Sequence, residues 1–239
     1  MKMLGACALS LFAGVASGCA GPLSGQHTLP GRWLDLWGRL EKRGAVGDPA
    51  GIYREIAARY SEPHRAYHTL THVEQVLEEL DSARPVAEDV DAVEAALWLH
   101  DVVYGVRNHE EESAKFATET LLKAGLPAEW VERVSGLIMA TRHDTDPLDA
   151  DARLVADIDM SILGQPRDRF DAYEAAVRLE NVPRTQEGNA TRFNQGRAAL
   201  LKRFLAQPVI YYTDYFRQKY EEQARANLRY SIERLEHPS

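Results

Sequence analysis

Residues 95–104 read Ala-Ala-Leu-Trp-Leu-His-Asp-Val-Val-Tyr, an apolar run interrupted only by an adjacent histidine and aspartate. Extended back to Asp89, the segment is apolar on nearly every side. That pattern predicts a helix buried all round, at the centre of whatever this chain folds into. The His100–Asp101 pair adds a second constraint. An ionised carboxylate in such a run is costly unless something cationic meets it. A neutral imidazole beside it supplies a nitrogen donor, and a mixed nitrogen and oxygen pair suits a divalent metal ion.

The remaining sequence reads as helices that can enclose such a core. Leu34, Leu36, Trp37 and Leu40 give a short amphipathic start. Asp48-Pro49 is a helix N-terminus, opening a helix to about Tyr60 that Ser61-Glu62-Pro63 breaks. Thr71 to Leu80 carries Val73, Val76, Leu77 and Leu80 on one face, and Asp89 to Tyr104 is the central helix. Glu110 to Ala124 follows, stopped by Gly125. Pro127 to Thr141, Asp151 to Leu163, Arg167 to Asn181, Thr191 to Leu205 and Tyr215 to Leu235 complete the set. No segment shows period-two alternation, and no repeat appears after residue 28. The expectation is one all-α domain of about nine or ten helices over residues 29–239, packed around the Ala92–Tyr104 helix.

Residues 1–28 are set apart from that domain. An apolar stretch from Leu4 to Ala16 precedes Ser-Gly-Cys, as in a bacterial lipoprotein signal with Cys19 as the lipidated residue. The stretch is too short to span a bilayer as an ordinary helix. A dispensable extension is the equal alternative. Both cysteines of the chain, Cys7 and Cys19, fall here, so the body holds neither a disulfide framework nor a cysteine metal site. The formal net charge of −8, with no compensating basic block, argues against a nucleic-acid polymer as partner.

Four words recur in order along the body. They are Tyr67-His68-Thr69-Leu70-Thr71-His72, Leu99-His100-Asp101-Val102-Val103-Tyr104, Glu110 with Ser113-Ala114, and Asp157-Ile158-Asp159-Met160-Ser161. From about Trp33 to near the C-terminus, the chain resembles the HD superfamily of metal-dependent phosphohydrolases, in the branch described as predicted metal-dependent phosphohydrolases. The resemblance implies an HD-type helical domain and a divalent ion (Mn, Fe, Co, Ni, Zn or Mg) held by His72, His100, Asp101 and Asp157. His68 competes with His72 for the first place, and Asp159 with Asp157 for the last. It implies a cytoplasmic protein, against a membrane-anchored one if Cys19 is lipidated.

The implied activity is hydrolysis of a small phosphorylated, nucleotide-like substrate by a metal-activated water. Asp101 would be both ligand and orienter of that water. Glu110 is a candidate general acid or base, although Glu110, Glu111 and Glu112 also suit a helix N-terminus. Arg65, near His72 along the chain, is the candidate phosphate binder, since a guanidinium matches two phosphate oxygens. Lys115, Arg142 and Arg178 are further cationic candidates, and His109 and His143 are candidates for a second metal. Tyr211, Tyr212, Tyr215, Phe216 and Tyr220 suit packing or a nucleobase platform. Two other classes stay open: a non-catalytic metal-binding or ligand-sensing module, and a di-iron oxygenase on the same scaffold. No Walker-type glycine loop and no Gly-x-Ser-x-Gly turn is present.

Overall fold

Four apolar side chains one or two turns apart, Trp33, Leu36, Trp37 and Leu40, are the buried stripe of the first helix, α1 (Leu29–Leu40). Leu34, expected on that stripe, is 47% exposed, and Trp33 takes the inward place. Described here are residues 28–184 and 189–238 of a computed structural model. The N-terminal extension with Cys7 and Cys19 lies outside them.

Nine more α-helices follow: α2 (Pro49–Tyr60), α3 (Leu70–Ala83), α4 (Val90–Leu99), α5 (His109–Lys123), α6 (Ala128–Met139), α7 (Ala150–Asp159), α8 (Arg167–Asn181), α9 (Ala190–Ala206) and α10 (Asp214–Glu236). Among the described residues there is no strand, and they form an all-α fold of ten α-helices. None of these helices is long and apolar enough to cross a membrane.

The apolar run of the sequence is the hub. Asp89 caps α4 by accepting from the amide of Ala92. Every α4 residue from Ala92 to Leu99 is buried, against α1, α3, α5, α6 and α7. Trp98 meets Trp33 edge-on at a centroid distance of 5.6 Å, which ties α4 to α1. Asp151, at the start of α7, is wholly buried but fully engaged. Its carboxylate accepts from Arg133 and from the amides of Glu88 and Asp89, clamping α6 and α7 to the start of α4.

Two helices stop earlier than the sequence pattern suggested, and both stops build the site. The α-helix of α4 ends at Leu99, not Tyr104, so His100 and Asp101 sit in the turn that closes it. The terminal carbonyls of a helix need outside donors. Tyr60 supplies one, its hydroxyl donating to the carbonyl of Trp98, and Arg65 braces the turn that follows, donating to the carbonyls of Asp101 at 2.7 Å and Val102 at 3.1 Å. The amide of Asp101 donates to the Tyr60 hydroxyl. Likewise α7 tightens into a 3-10 turn over Met160–Gly164. That turn packs closely on α10: a methyl group at Gly164 would lie 2.7 Å from Cγ of Tyr220.

Candidate metal centre

Three elements converge on one point. His72 lies in the first turn of α3, His100 and Asp101 close α4, and Asp159 is the last residue of α7. The Nε2 atoms of His72 and His100 are 3.0 Å apart. Asp101 Oδ2 is 3.0 Å from His100 Nε2 and 3.5 Å from His72 Nε2. Asp159 Oδ1 is 3.5 Å from each of the two imidazole nitrogens. All four donor atoms lie within 4.8 Å of one another, and His72, His100 and Asp101 are buried.

These separations fit a single ion. Ligands about 2.1 Å from a cation sit about 3.0 Å apart when cis in an octahedron and about 3.4 Å apart in a tetrahedron. The donor set is hard to borderline and accepts several divalent metals. His72, His100, Asp101 and Asp159 therefore form a buried group able to hold a metal ion.

The electrostatics agree with the geometry. Burial pushes the carboxyls of Asp101 and Asp159 up, but the neighbouring histidines outweigh it and hold both below the ordinary carboxylate range. Burial depresses His72. It depresses His100 as well, yet the Asp101 and Asp159 carboxylates leave that imidazole well above its usual value. Two anionic carboxylates in a largely buried cluster thus recruit positive charge, from a proton on His100 or from a cation.

Asp159 stands where Asp157 was expected. Residues two apart on an α-helix point about 200° away from each other, so only one of the two can face the histidines. Asp157 faces the other way. Its carboxylate accepts from the amides of Tyr212 and Thr213, each at 2.7 Å, and from the Thr213 hydroxyl at 2.6 Å. Thr213 caps α10, so Asp157 ties α7 to the start of the last helix. Burial raises its carboxyl to about 6 despite the hydrogen bonds from Thr213 and Tyr212. Substituting each aspartate by asparagine is expected to separate the roles. Asp159→Asn should weaken metal binding at least tenfold with little change in melting temperature. Asp157→Asn turns an amide N–H toward backbone donors, costs about 1–3 kcal/mol of stability, and keeps the metal. Calorimetric titration with Mn²⁺ and thermal melts check both.

Arg65, the candidate phosphate binder, does not line the cavity onto which the cluster opens. Its side chain is fully buried, and its donors go to Glu62 and to the carbonyls of His68, Asp101 and Val102. It holds the turn that carries His100 and Asp101.

His68 lies beside the cluster, with its Nε2 3.9 Å from Asp101 Oδ2 and its ring stacked on Tyr104 at 4.1 Å. Its Nδ1 is 2.8 Å from Oε2 of Glu180. Glu180, on α8, is the residue the sequence did not reveal. Its Oε1 accepts from the amides of Ala66, Tyr67 and His68, and its Oε2 also accepts from the Tyr104 hydroxyl. Burial pushes this carboxyl up, but the His68 ring and the amides of Ala66 and His68 hold it down, to about 2. His143 supports Asp159 from outside the cluster, with Nε2 2.9 Å from Oδ2. It does so from a left-handed backbone, φ 53°, which is uncommon for a residue with a side chain.

The cluster opens through Asp101 and Asp159 onto a cavity of about 590 Å³. Glu110, at the first turn of α5, lies on its wall 3.2 Å from the His109 ring. Arg142, Arg192, Arg197 and Arg203 also line it. Neither Lys115 nor Arg178 does, and Arg178 pairs with Asn194. Tyr211 and the α10 residue Phe216 are buried, and none of Tyr211, Tyr212, Tyr215, Phe216 or Tyr220 lines the cavity. Set against protein-family models, curated proteins and solved structures, the chain matches none.

Proposed function

We propose that this chain is a metal-dependent hydrolase of phosphate esters or anhydrides. The observation that carries the reading is one arrangement: a two-histidine, two-carboxylate cluster on the wall of a cavity whose other walls carry four arginines. A divalent cation held there supplies Lewis acidity, acidifying water and polarising a phosphoryl oxygen. Arg142 is paired with Glu111 and Asp144 and Arg197 with Glu174, so the positive charge these four bring to the cavity is partly offset, and what remains favours an anion.

The chain's own residues complete the chemistry. An ionised carboxylate only accepts, so Glu180 fixes the His68 proton on Nδ1 and leaves Nε2 facing Asp101 and the cavity. That nitrogen is placed to take or give a proton at a reacting oxygen. His143 holds Asp159, and Arg65 holds the Asp101 turn, so both carboxylates keep fixed directions. Glu110 on the cavity wall is a second proton-transfer candidate.

The test is elemental analysis of the purified chain, then a panel of phosphate monoesters, diesters and anhydrides with Mn, Fe, Co, Ni, Zn or Mg. Release of inorganic phosphate or of a phosphorylated product, dependent on one of these ions, is expected. Stoichiometric metal with no turnover across the panel would make the chain a metal-binding module. Two irons per chain with oxygen consumption would make it an oxygenase.

A further inference from the structure

The cavity has an organic side as well as an ionic one. Along α9, Arg192, Phe193, Gly196, Arg197, Leu200 and Phe204 all line it. Their spacing of three and four residues defines one helix face. Phe204 meets the ring of His143 edge-on at 6.2 Å, so this face runs past the residue that holds Asp159. Arg197 reaches across to the hydroxyl of Tyr173 and to Glu174, which fixes the middle of the face against α8.

Gly196 stands in that middle, and it is exposed to the cavity. Glycine inside a helix is unfavourable relative to alanine. Packing gives no reason for it here: a Cβ built on Gly196 meets no heavy atom within 4 Å. Nor does Gly196 take a left-handed backbone angle. Two other helical glycines, Gly38 on α1 and Gly136 on α6, share the open surroundings but do not line the cavity. At Gly196 alone of these three, the space left free belongs to the cavity.

We propose that Gly196 is a specificity-determining position, its missing side chain leaving a slot for the organic part of the substrate. The organic part is a flat or hydrocarbon group lying across α9 between Phe193, Leu200 and Phe204. Its phosphate reaches the metal cluster, and this end of the proposal rests on the phosphohydrolase reading. A cavity of about 590 Å³ far exceeds the needs of a phosphate alone and falls in the range that encloses an organic ligand. On this proposal a methyl group at Gly196 is harmless to the protein and harmful to the ligand.

The experiment uses the full chain with Mn²⁺ and two phosphonates that cannot be hydrolysed, methylphosphonate and 1-naphthylmethylphosphonate. Binding is read by calorimetry and stability by thermal melts. The wild type is expected to bind the naphthyl ligand more tightly. Gly196→Ala is expected to raise the melting temperature by about 2 °C. It is expected to weaken the naphthyl ligand about tenfold, equivalent to about 1.4 kcal/mol, and to leave methylphosphonate within about twofold. Gly38→Ala and Gly136→Ala should give the same gain in stability and no change in either affinity. Equal effects on the two ligands, no effect on the naphthyl ligand, or a wild type that does not prefer it would each overturn the proposal. So would a lower melting temperature for Gly196→Ala. Because no turnover is needed, these outcomes are independent of the hydrolysis panel, which alone decides the phosphohydrolase reading.

Discussion

Asp101→Ala is expected to abolish stoichiometric metal binding and metal-dependent turnover together. Asp101 is both a member of the candidate metal cluster, its Oδ2 3.0 Å from His100 Nε2, and one of the two cluster residues that line the cavity. Removing a residue that merely supports a ligand costs 10–100-fold in affinity, so losing one of four ligands should cost at least about 10²-fold. Stability reports the same event. A ligand at 100 times its dissociation constant stabilises by about 2.7 kcal/mol, which for a chain of this size is about 5–10 °C. The wild type should show that gain on adding the cognate ion, and Asp101→Ala should show none. Retention of both the ion and the thermal gain in the variant would remove this cluster as the metal site.

The same site predicts a pH dependence. His100 is raised above its ordinary value by Asp101 and Asp159, which outweigh its burial, so the cluster favours a proton on that imidazole. A cation must expel it, because an imidazole binds metal only when neutral. Metal affinity should therefore rise with pH until His100 is deprotonated without help. Metal addition in weak buffer should release protons, measurable with an indicator dye.

The second large effect is expected at Glu180. Its buried carboxylate satisfies three amides, the His68 ring and the Tyr104 hydroxyl at once. Glu180→Ala leaves those donors unpaired and should destabilise by about 3–5 kcal/mol. Its pH signature has a definite sign. The folded carboxyl, near 2, lies below its reference value of 4.5, so its contribution is fully present above pH 4.5. That contribution, about 3 kcal/mol, is lost as the pH falls from about 4.5 to about 2.

Glu180→Gln separates the chemical role from the structural one. Its oxygen can still accept from the three amides, but its NH₂ now faces His68 Nδ1 and forces the proton to Nε2. Turnover should fall about 10²-fold while most stability is kept. Histidine ¹⁵N resonances should show the exchanged tautomer. An unchanged rate with the tautomer exchanged would leave His68 without a role in proton transfer.

The hub helix and the His100–Asp101 pair were legible because both signals are local. An apolar run long enough to be buried all round predicts a central helix, and two ionisable groups inside it predict a partner cation. Other features depend on which way a side chain turns. Asp157 and Asp159 sit in the same apolar segment, and only the packing of α7 against α3 and α4 decides which one reaches the histidines. Arg65 had the right residue type near the right histidine. Its guanidinium is taken by carbonyls of the turn where α4 stops, five residues before the apolar run ends at Tyr104. Glu180 carried no cue at all, because every group it binds lies more than seventy residues earlier in the chain. A glutamate near the end of a polar helix looks like any solvated charge until the 66–68 backbone is laid against it.

The hook between Asp157 and Thr213 has a further consequence. The last helix and the aspartate of the candidate metal cluster hang from opposite sides of one short rod, two residues apart. A protease nick or truncation that frees α10 would remove both that hook and the packing of the last helix on the 160–164 turn, and so loosen the cluster more than Asp157→Asn does, although none of its four residues had been cut. Metal content in a preparation of this protein would then double as an assay for an intact C-terminus.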